Sequence, residues 1–567
     1  MGRWLLLALI VHAGPAAAQA AINTAPANVN ASKTAGLDDT QLAAQLALGQ
    51  RIYRDGVRAS GEPLTATGAA QTQLSGKDVA CAACHRRSGY GTSEGRFVIR
   101  PITGPALLQE QTVTVHGPRI KALLGTAQRP PYTAALLARA VRGGMDAAGK
   151  PLDALMPRYE LNDEETAALA AYLFSLSSRP SPGVDEQEIH FATVIQPGVA
   201  AERRKAMLDI MQAFVKDKDG SARSEELRRE AGNMRMTRAY RKWVLHVWEL
   251  TGSSETWGAQ LQGFYDAQPV FALIGGLGDS SWRPIHEFSE RVGLPSVFPQ
   301  TDLPVLAGAD FYTVYFSRGL TLEAEVLAKF LLDQPEPTPQ LVQVYRRGEA
   351  GATAAAALRT ALAARIPIED QVLDGPADGT AWRRVCATKP HIVVLWLGAN
   401  DLDANMSANQ LPEPLPETAC SPTVYLSFGL LGSHRPSHIT WAQSAGSRSD
   451  LRMVYPSDPP PRHETRLLRS KLWLHNKGIA VTNEPVQVNA QFTMTLVSDV
   501  IGHIADNFSR DYFVERIEHV VAQTPAASLF PQVSLGPGQR FAAKGAGIVQ
   551  LGDADRALTS VSGWIVP

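Results

Sequence analysis

Three shortages bound what this sequence can be. Net charge is nearly absent: 54 Lys and Arg stand against 55 Asp and Glu, for −1 at neutral pH. That removes the electrostatic case for a nucleic-acid partner or an anionic membrane surface. The densest basic run, Arg203-Arg204-Lys205, follows Glu202 and has Asp209 one helical turn on, so it reads as a mixed, solvated face. Beyond the first twenty residues no apolar run is long enough to span a bilayer. Cysteine is scarce, four in 567 residues, so each one must be accounted for. There is no internal repeat, no low-complexity tract and no nucleophile–base pair. Gly536-Pro537-Gly538 is a turn and not a phosphate loop.

What is present begins at the N-terminus. Met1-Gly2-Arg3 is a short basic start, Trp4 to Ala13 is mostly apolar, and Ala18-Gln19-Ala20 is a cleavage pattern. Residues 1–20 are expected to be a secretory signal peptide. No cysteine follows the cleavage pattern, so no lipid anchor is expected.

The sharpest motif is Cys81-Ala82-Ala83-Cys84-His85. Two thiols three residues apart can each add to one vinyl group of a porphyrin, and the adjacent imidazole can then ligate its iron. The competing readings are a thioredoxin-like dithiol and half a zinc site. Zinc needs further Cys or His at ligand spacing, and none follows closely. A c-type haem also needs a sixth ligand. Met156, in Leu155-Met156-Pro157, sits in a loop stiffened by proline; Met145, in Gly143-Gly144-Met145, is its rival. Asn162 and Glu165 look like a helix cap and its reciprocal partner. Leu169, Tyr172, Leu173 and Leu176 then share one helix face. Upstream, a helix through Leu42, Leu46, Gly49, Ile52 and Tyr53 is expected, with Gly49 letting a second helix cross closely. A prolyl carbonyl, of Pro105 or Pro101, is expected to accept from the His85 ring N–H.

In their order and spacing, Gly49-x-x-x-Tyr53, Cys81-x-x-Cys84-His85, Gly104-Pro105-x-Leu107, Met156-Pro157 and Tyr172-Leu173 resemble class I cytochrome c. The resemblance spans residues 37–178 and implies an all-α domain with one covalent haem c. Cys81 and Cys84 would carry the group; His85 and Met156 would hold its iron. The segment from Gly56 to Asp78, longer than is usual for that family, is expected to be an exposed loop.

Residues 179–188, rich in Pro and Ser, read as a linker. From 189 to 555 strands and helices alternate. Strands are expected at 189–195, 243–248, 269–274, 295–298, 341–345, 392–397 and 423–428, with a bridging strand at 311–316. Continuous apolar runs such as Pro269 to Ile274 imply parallel strands covered on both faces. Pro269 to Gly278, Gly293-Leu294-Pro295, Phe311 to Ser317 and Leu535 to Phe541 resemble the type I periplasmic solute-binding proteins of the amino-acid and amide branch. That resemblance implies two α/β lobes closing on a small molecule. Sites at the carboxyl ends of strands place Ser280 and Ser281 at one lip of the cleft and Asn400 and Asp401 at the other; each pair reads equally as a helix cap. Gln196-Pro197-Gly198 departs from the Gly/Ser-rich loop expected after the first strand. Cys386 and Cys420 precede two strands whose starts, if neighbours, lie about 5 Å apart, so a disulfide is expected in an exported protein.

The expectation is thus a multidomain chain: an all-α cytochrome c domain, then a two-lobed α/β receptor-like domain. It implies an electron carrier in the periplasm, not an enzyme, with a redox partner such as a dehydrogenase or another cytochrome. The alternative is a receptor for an amino-acid-like compound with an accessory haem. A haem peroxidase would require the Met ligand to leave.

Overall fold

The computed structural model describes residues 39–94, 97–110, 129–231, 241–306, 308, 310–334, 340–362, 365–375, 381–406, 420–432, 450–551 and 558–567. The expected signal peptide, residues 1–20, lies outside them.

The N-terminal unit is built on helices α1 (Asp39–Asp55), α2 (Cys81–His85), α3 (Gly104–Leu108), α4 (Ala134–Gly143) and α5 (Asp163–Ser175). α5 starts at the capping box read from the sequence: Asn162 Oδ1 accepts from Glu165 N at 2.8 Å, and Glu165 Oε2 accepts from Asn162 N at 3.0 Å. α1 crosses α5 at Gly49, where a Cβ would stand 2.1 Å from the Ala168 carbonyl oxygen. Only a hydrogen at that position permits so close a crossing. Tyr53 and Tyr172 then meet with ring centroids 5.4 Å apart.

This unit is not purely helical. Strands β1 (Thr65–Thr67), β2 (Gln73–Ser75) and β5 (Arg158–Tyr159) form a small antiparallel sheet, and β3 (Thr92–Glu94) pairs with β4 (Phe97–Ile99). The stretch from Gly56 to Asp78, expected as an exposed loop, therefore supplies structure. Leu64 and Ala66 have no exposed surface and pack into the same apolar cluster as Ile52, Tyr53 and Cys81. The composition of the segment hid this, because only two of its side chains carry the burial.

Past the linker the chain forms two sheets, the first parallel and the second parallel except for its last two strands, which pair antiparallel. In the first lobe run β6 (Glu188–Ile195), α6 (Ala201–Ala231), β7 (Lys242–Glu249), α7 (Trp257–Ala267), β8 (Ala272–Ile274), β9 (Leu277–Gly278), α8 (Arg283–Val292), β10 (Ser296–Val297), β11 (Gln300–Thr301) and β12 (Thr313–Val314). Their strand order is β11-β9-β6-β8-β10-β12, with β7 beside β6. The second lobe holds α9 (Leu320–Leu332), β13 (Leu341–Arg346), α10 (Ala350–Leu362), β14 (Ile368–Leu373), α11 (Ala381–Ala387), β15 (Ile392–Trp396), α12 (Ala399–Met406), β16 (Thr423–Ser427), α13 (Phe428–Leu431) and β17 (Asp450–Tyr455). The chain then returns to the first lobe as α14 (Arg462–Asn476), α15 (Glu484–Ile504) and α16 (Arg510–Val520). It ends on the second sheet as β18 (Gly547–Leu551) and β19 (Leu558–Ser560), giving the order β14-β13-β15-β16-β17-β18-β19. Ile565 pairs with Ala546, so the second lobe runs past residue 555. Both sheets are covered by helices because their central strands are apolar on both faces; Val393 to Trp396 are all buried.

Three stretches cross between the lobes: 315–320, 456–461 and 541–546. The first and third run side by side. Tyr315 bridges Phe541, and Ala542 N and Ala543 N donate to the carbonyls of Tyr315 and Phe316 at 3.1 and 2.6 Å. Among the described residues no helix is long and apolar enough to cross a membrane.

Candidate haem-attachment site

The motif forms one short helix, α2, which places both thiols and the imidazole on a single turn and a half. Cys81 is buried among Tyr132, Leu137, Val141, Tyr159 and Leu161, whereas Cys84 is exposed. Burial pushes the Cys81 thiol up to about 11. His85 Nδ1 lies 3.0 Å from the carbonyl oxygen of Arg100. A carbonyl only accepts, so Nδ1 carries the hydrogen and Nε2 keeps its lone pair. Burial lowers the pKa of this imidazole, which favours its neutral, metal-ligating form. The carbonyl is not that of Pro105 or Pro101, as expected, but of the residue just before Pro101. Proline biases its predecessor to an extended backbone, and that aims the Arg100 oxygen at the ring.

Met156 packs on the apolar cluster that contains Cys81. Met145 is engaged in a backbone bridge with Pro151. The donor set fits a c-type haem: two thiols, an imidazole with a free Nε2, and a thioether on the same apolar cluster.

In the loop after the motif, Arg86 and Arg87 are both engaged by acids of α16. Arg86 binds Glu518, Arg87 sits 3.6 Å from Asp511, and Arg54 pairs with Asp511 at 2.8 Å. Ser88 donates from N and Oγ to Glu515, at 3.0 and 2.5 Å, and Tyr90 stacks on Tyr512 with centroids 4.1 Å apart. Arg87 also lies over the rings of Phe311 and Tyr312. Helix α16 thus clasps the haem-motif loop onto the first lobe. Burial pushes Glu515 up to about 7 despite its bonds to Ser88. Arg86 itself adopts φ 64°, ψ 168°, a region that costs a residue with a Cβ about 1–3 kcal/mol. Tyr53 Oη, donating to the Arg86 carbonyl at 2.6 Å, and Glu518 hold it there.

The cleft residues expected from the sequence are largely spent within the protein. Gln196 Oε1 accepts from Ser280 N and Oγ, and Gln196 Nε2 donates to the Ser281 carbonyl. Ser281 Oγ accepts from Arg283 N, and Asp401 forms a two-bond pair with Arg346. Asn400 is exposed at the start of α12. A different pair lies at the lobe junction. The carboxyls of Asp302, after β11, and Glu323, on α9, flank Gly429, whose Cβ would be 3.0 and 3.1 Å from them. Glu323 accepts from Ser427 Oγ at 2.6 Å and Gly429 N at 2.8 Å, yet burial pushes it up to about 8. Nothing local to either residue signals this pair, because the two carboxylates come from different lobes.

Cys386 and Cys420 are free thiols, contrary to the expected disulfide. They are nevertheless hydrogen-bonded neighbours, and that bond raises the Cys386 thiol. β15 and β16 do pair in parallel with Ile392 opposite Thr423, but Cys386 sits back on α11. His463, Glu464 and Glu484 lie close enough to hold a metal, but Lys471 binds both carboxylates, at 2.5 and 2.7 Å, and so already supplies a cation to the cluster.

Comparison with known proteins agrees with the N-terminal geometry. Residues 72–177 match the family model described as cytochrome c, and that stretch is a cytochrome c domain. No curated protein matches the chain. Solved structures similar to the two lobes include a leucine-binding protein of Thermotoga maritima (11% identity, 67% of this chain and 99% of that one, TM-score 0.48). A branched-chain amino acid transporter protein of Thermus thermophilus with bound valine is similar at 12% identity (68% and 98% covered, TM-score 0.49). So is a solute-binding protein of R. palustris in complex with benzoate (13% identity, 67% and 97% covered, TM-score 0.48).

Proposed function

We propose that the protein is an exported, periplasmic electron carrier with one covalent haem c, which Cys81 and Cys84 would hold by thioether bonds and whose iron His85 Nε2 and Met156 Sδ would ligate. The bound group supplies one-electron exchange at iron. The chain's own residues do the rest. The Arg100 carbonyl fixes the imidazole tautomer and ring plane. The cluster around Cys81 excludes water. Axial His and Met favour a relatively high potential and leave no position open to substrate, which separates this reading from a peroxidase.

The observation that carries the reading is the His85–Arg100 bond. It leaves one imidazole nitrogen free on the helix that bears both thiols, inside the matched region. The test is a pyridine haemochrome spectrum of the denatured chain: absorbance that stays with the polypeptide is expected. Its loss in the double variant C81A/C84A is expected too, and haem that extracts freely from the natural chain would refute the attachment.

In this reading the receptor-like lobes bind a small molecule or dock a redox partner, such as a dehydrogenase or a second cytochrome. One observation favours the alternative, a receptor for an amino-acid-like compound with an accessory haem. Asp302 and Glu323 approach each other across the lobe junction, and an amine would satisfy both. Thermal shifts against a panel of amino acids, amides and alcohols separate the two; a flat panel argues for partner docking.

A further inference from the structure

Asp511, Glu515 and Glu518 recur at i, i+4 and i+7 along α16 and so share one helix face. All three hold the segment that follows the haem motif or the helix behind it. Two of them also hold the chain where it crosses between lobes. Asp511 accepts from Tyr312 Oη at 2.7 Å, three residues before the first crossing. Glu518 accepts from Arg540 Nη2 at 2.8 Å and Gly538 N at 3.2 Å, just before the third. The Arg540 carbonyl in turn accepts from Tyr315 N at 2.8 Å, so Arg540 is stitched to both crossings at once.

We propose that Glu518 is a positioning residue for His85, and that through Arg540 it couples movement between the two lobes to the haem iron. The proposal rests on the haem reading given above. Glu518 is 3% exposed at its side chain and shared between two guanidinium groups, Arg86 and Arg540. A charge so buried is barely screened, and strengthening one pair weakens the other. Arg86 follows His85 directly and is held in a backbone conformation it does not favour. Any loss of the Glu518 contact lets that residue relax and moves the attachment of the imidazole. Rotation about the crossings shifts the Arg540 backbone, hence its hold on Glu518. Coupling of this kind is reciprocal: if lobe movement changes iron's preference for the ferrous state, reduction must change the lobes by the same factor.

The experiment uses the full-length holoprotein. Midpoint potentials are measured by redox titration for the natural chain, E518Q, R540M and R540K. E518Q and R540M are expected to move the ferric–ferrous equilibrium about tenfold, which reads as about 59 mV, and R540K to restore most of the natural value. A role limited to stabilising the lobe would leave the potential unmoved, because Arg540 meets Glu518 and not the haem loop. Should the variants fail to fold, hydrogen exchange on the natural chain decides. Amides of 312–319 and 538–546 are expected to differ about fivefold between ferric and ferrous protein. Equal exchange, or unmoved potentials in folded variants, overturns the coupling alone. A chain carrying no covalent haem overturns the haem reading with it.

Discussion

Replacing Glu323 by Gln should leave the protein about as stable as before at pH 4 and make it increasingly the more stable form as pH rises from 5 to 8. Glu323 is 6% exposed, and burial raises its carboxyl from the ordinary 4.5 to about 8. Its nearest charged neighbour, Asp302, is raised as well, by burial and by Asp279, with Arg203 opposing. A carboxyl whose folded pKa lies above its unfolded value contributes stability that is complete below about 4.5. It is lost as pH rises through about 8, because the unfolded chain ionises first. At about 1.4 kcal/mol for each tenfold change in acidity, the rise corresponds to about 5 kcal/mol as an upper bound. The Gln amide keeps a carbonyl for Gly429 N and offers its N–H₂ to Ser427 Oγ, so the neutral state is mimicked at little cost. The assay is urea unfolding followed by circular dichroism at pH 5, 7 and 9. Glu515 titrates in part of the same window, so the difference between the two proteins is the quantity to read. If both lose stability in parallel from pH 5 to 9, the burial argument is refuted.

Gly49→Ala should lower the haem-domain melting temperature, read from the visible absorbance, with a cost of about 2 kcal/mol or more. The new Cβ would stand 2.1 Å from the Ala168 oxygen, and α1 must move off α5. Met156→Ala should abolish the weak long-wavelength absorbance of the Met–iron bond; an unchanged spectrum would point to Met145 instead. Arg510→Met should cost about 3 kcal/mol or more in chemical denaturation, because its guanidinium donates to the carbonyls of Phe271, Val270 and Pro182 and to Tyr265 Oη. A loss under 1 kcal/mol would mean that water replaces those bonds.

What could be read from the chain was local or periodic. The motif at Cys81, the capping box at Asn162, the close crossing at Gly49 and the apolar strands of both sheets all announce themselves within a few residues. β14, Ile-Glu-Asp-Gln-Val-Leu, did not, because an edge strand with three polar residues lacks the apolar run of its neighbours. β17 alternates, but Arg452 interrupts its apolar side chains. The clasp was illegible for a different reason. An arginine pair beside His85 looks the same whether it meets water or acids 432 residues away. Ser280 and Asp401 misled similarly: polar residues at strand ends suit a ligand, but Gln196 and Arg346 reach them first.

The clasp also sets an order of events. Arg86 to Tyr90 are made early, and the helix that covers them comes 432 residues later for the Arg86–Glu518 pair. At roughly 5–20 residues per second, synthesis of the intervening chain takes roughly 20–90 s. Throughout that interval the loop beside the thiols of α2 lacks the helix that covers it. Once α16 arrives, the same loop is held by three carboxylates or their neighbours and by a stacked tyrosine pair. The long separation therefore fixes a sequence: the loop is made first, and the helix that covers it only afterwards.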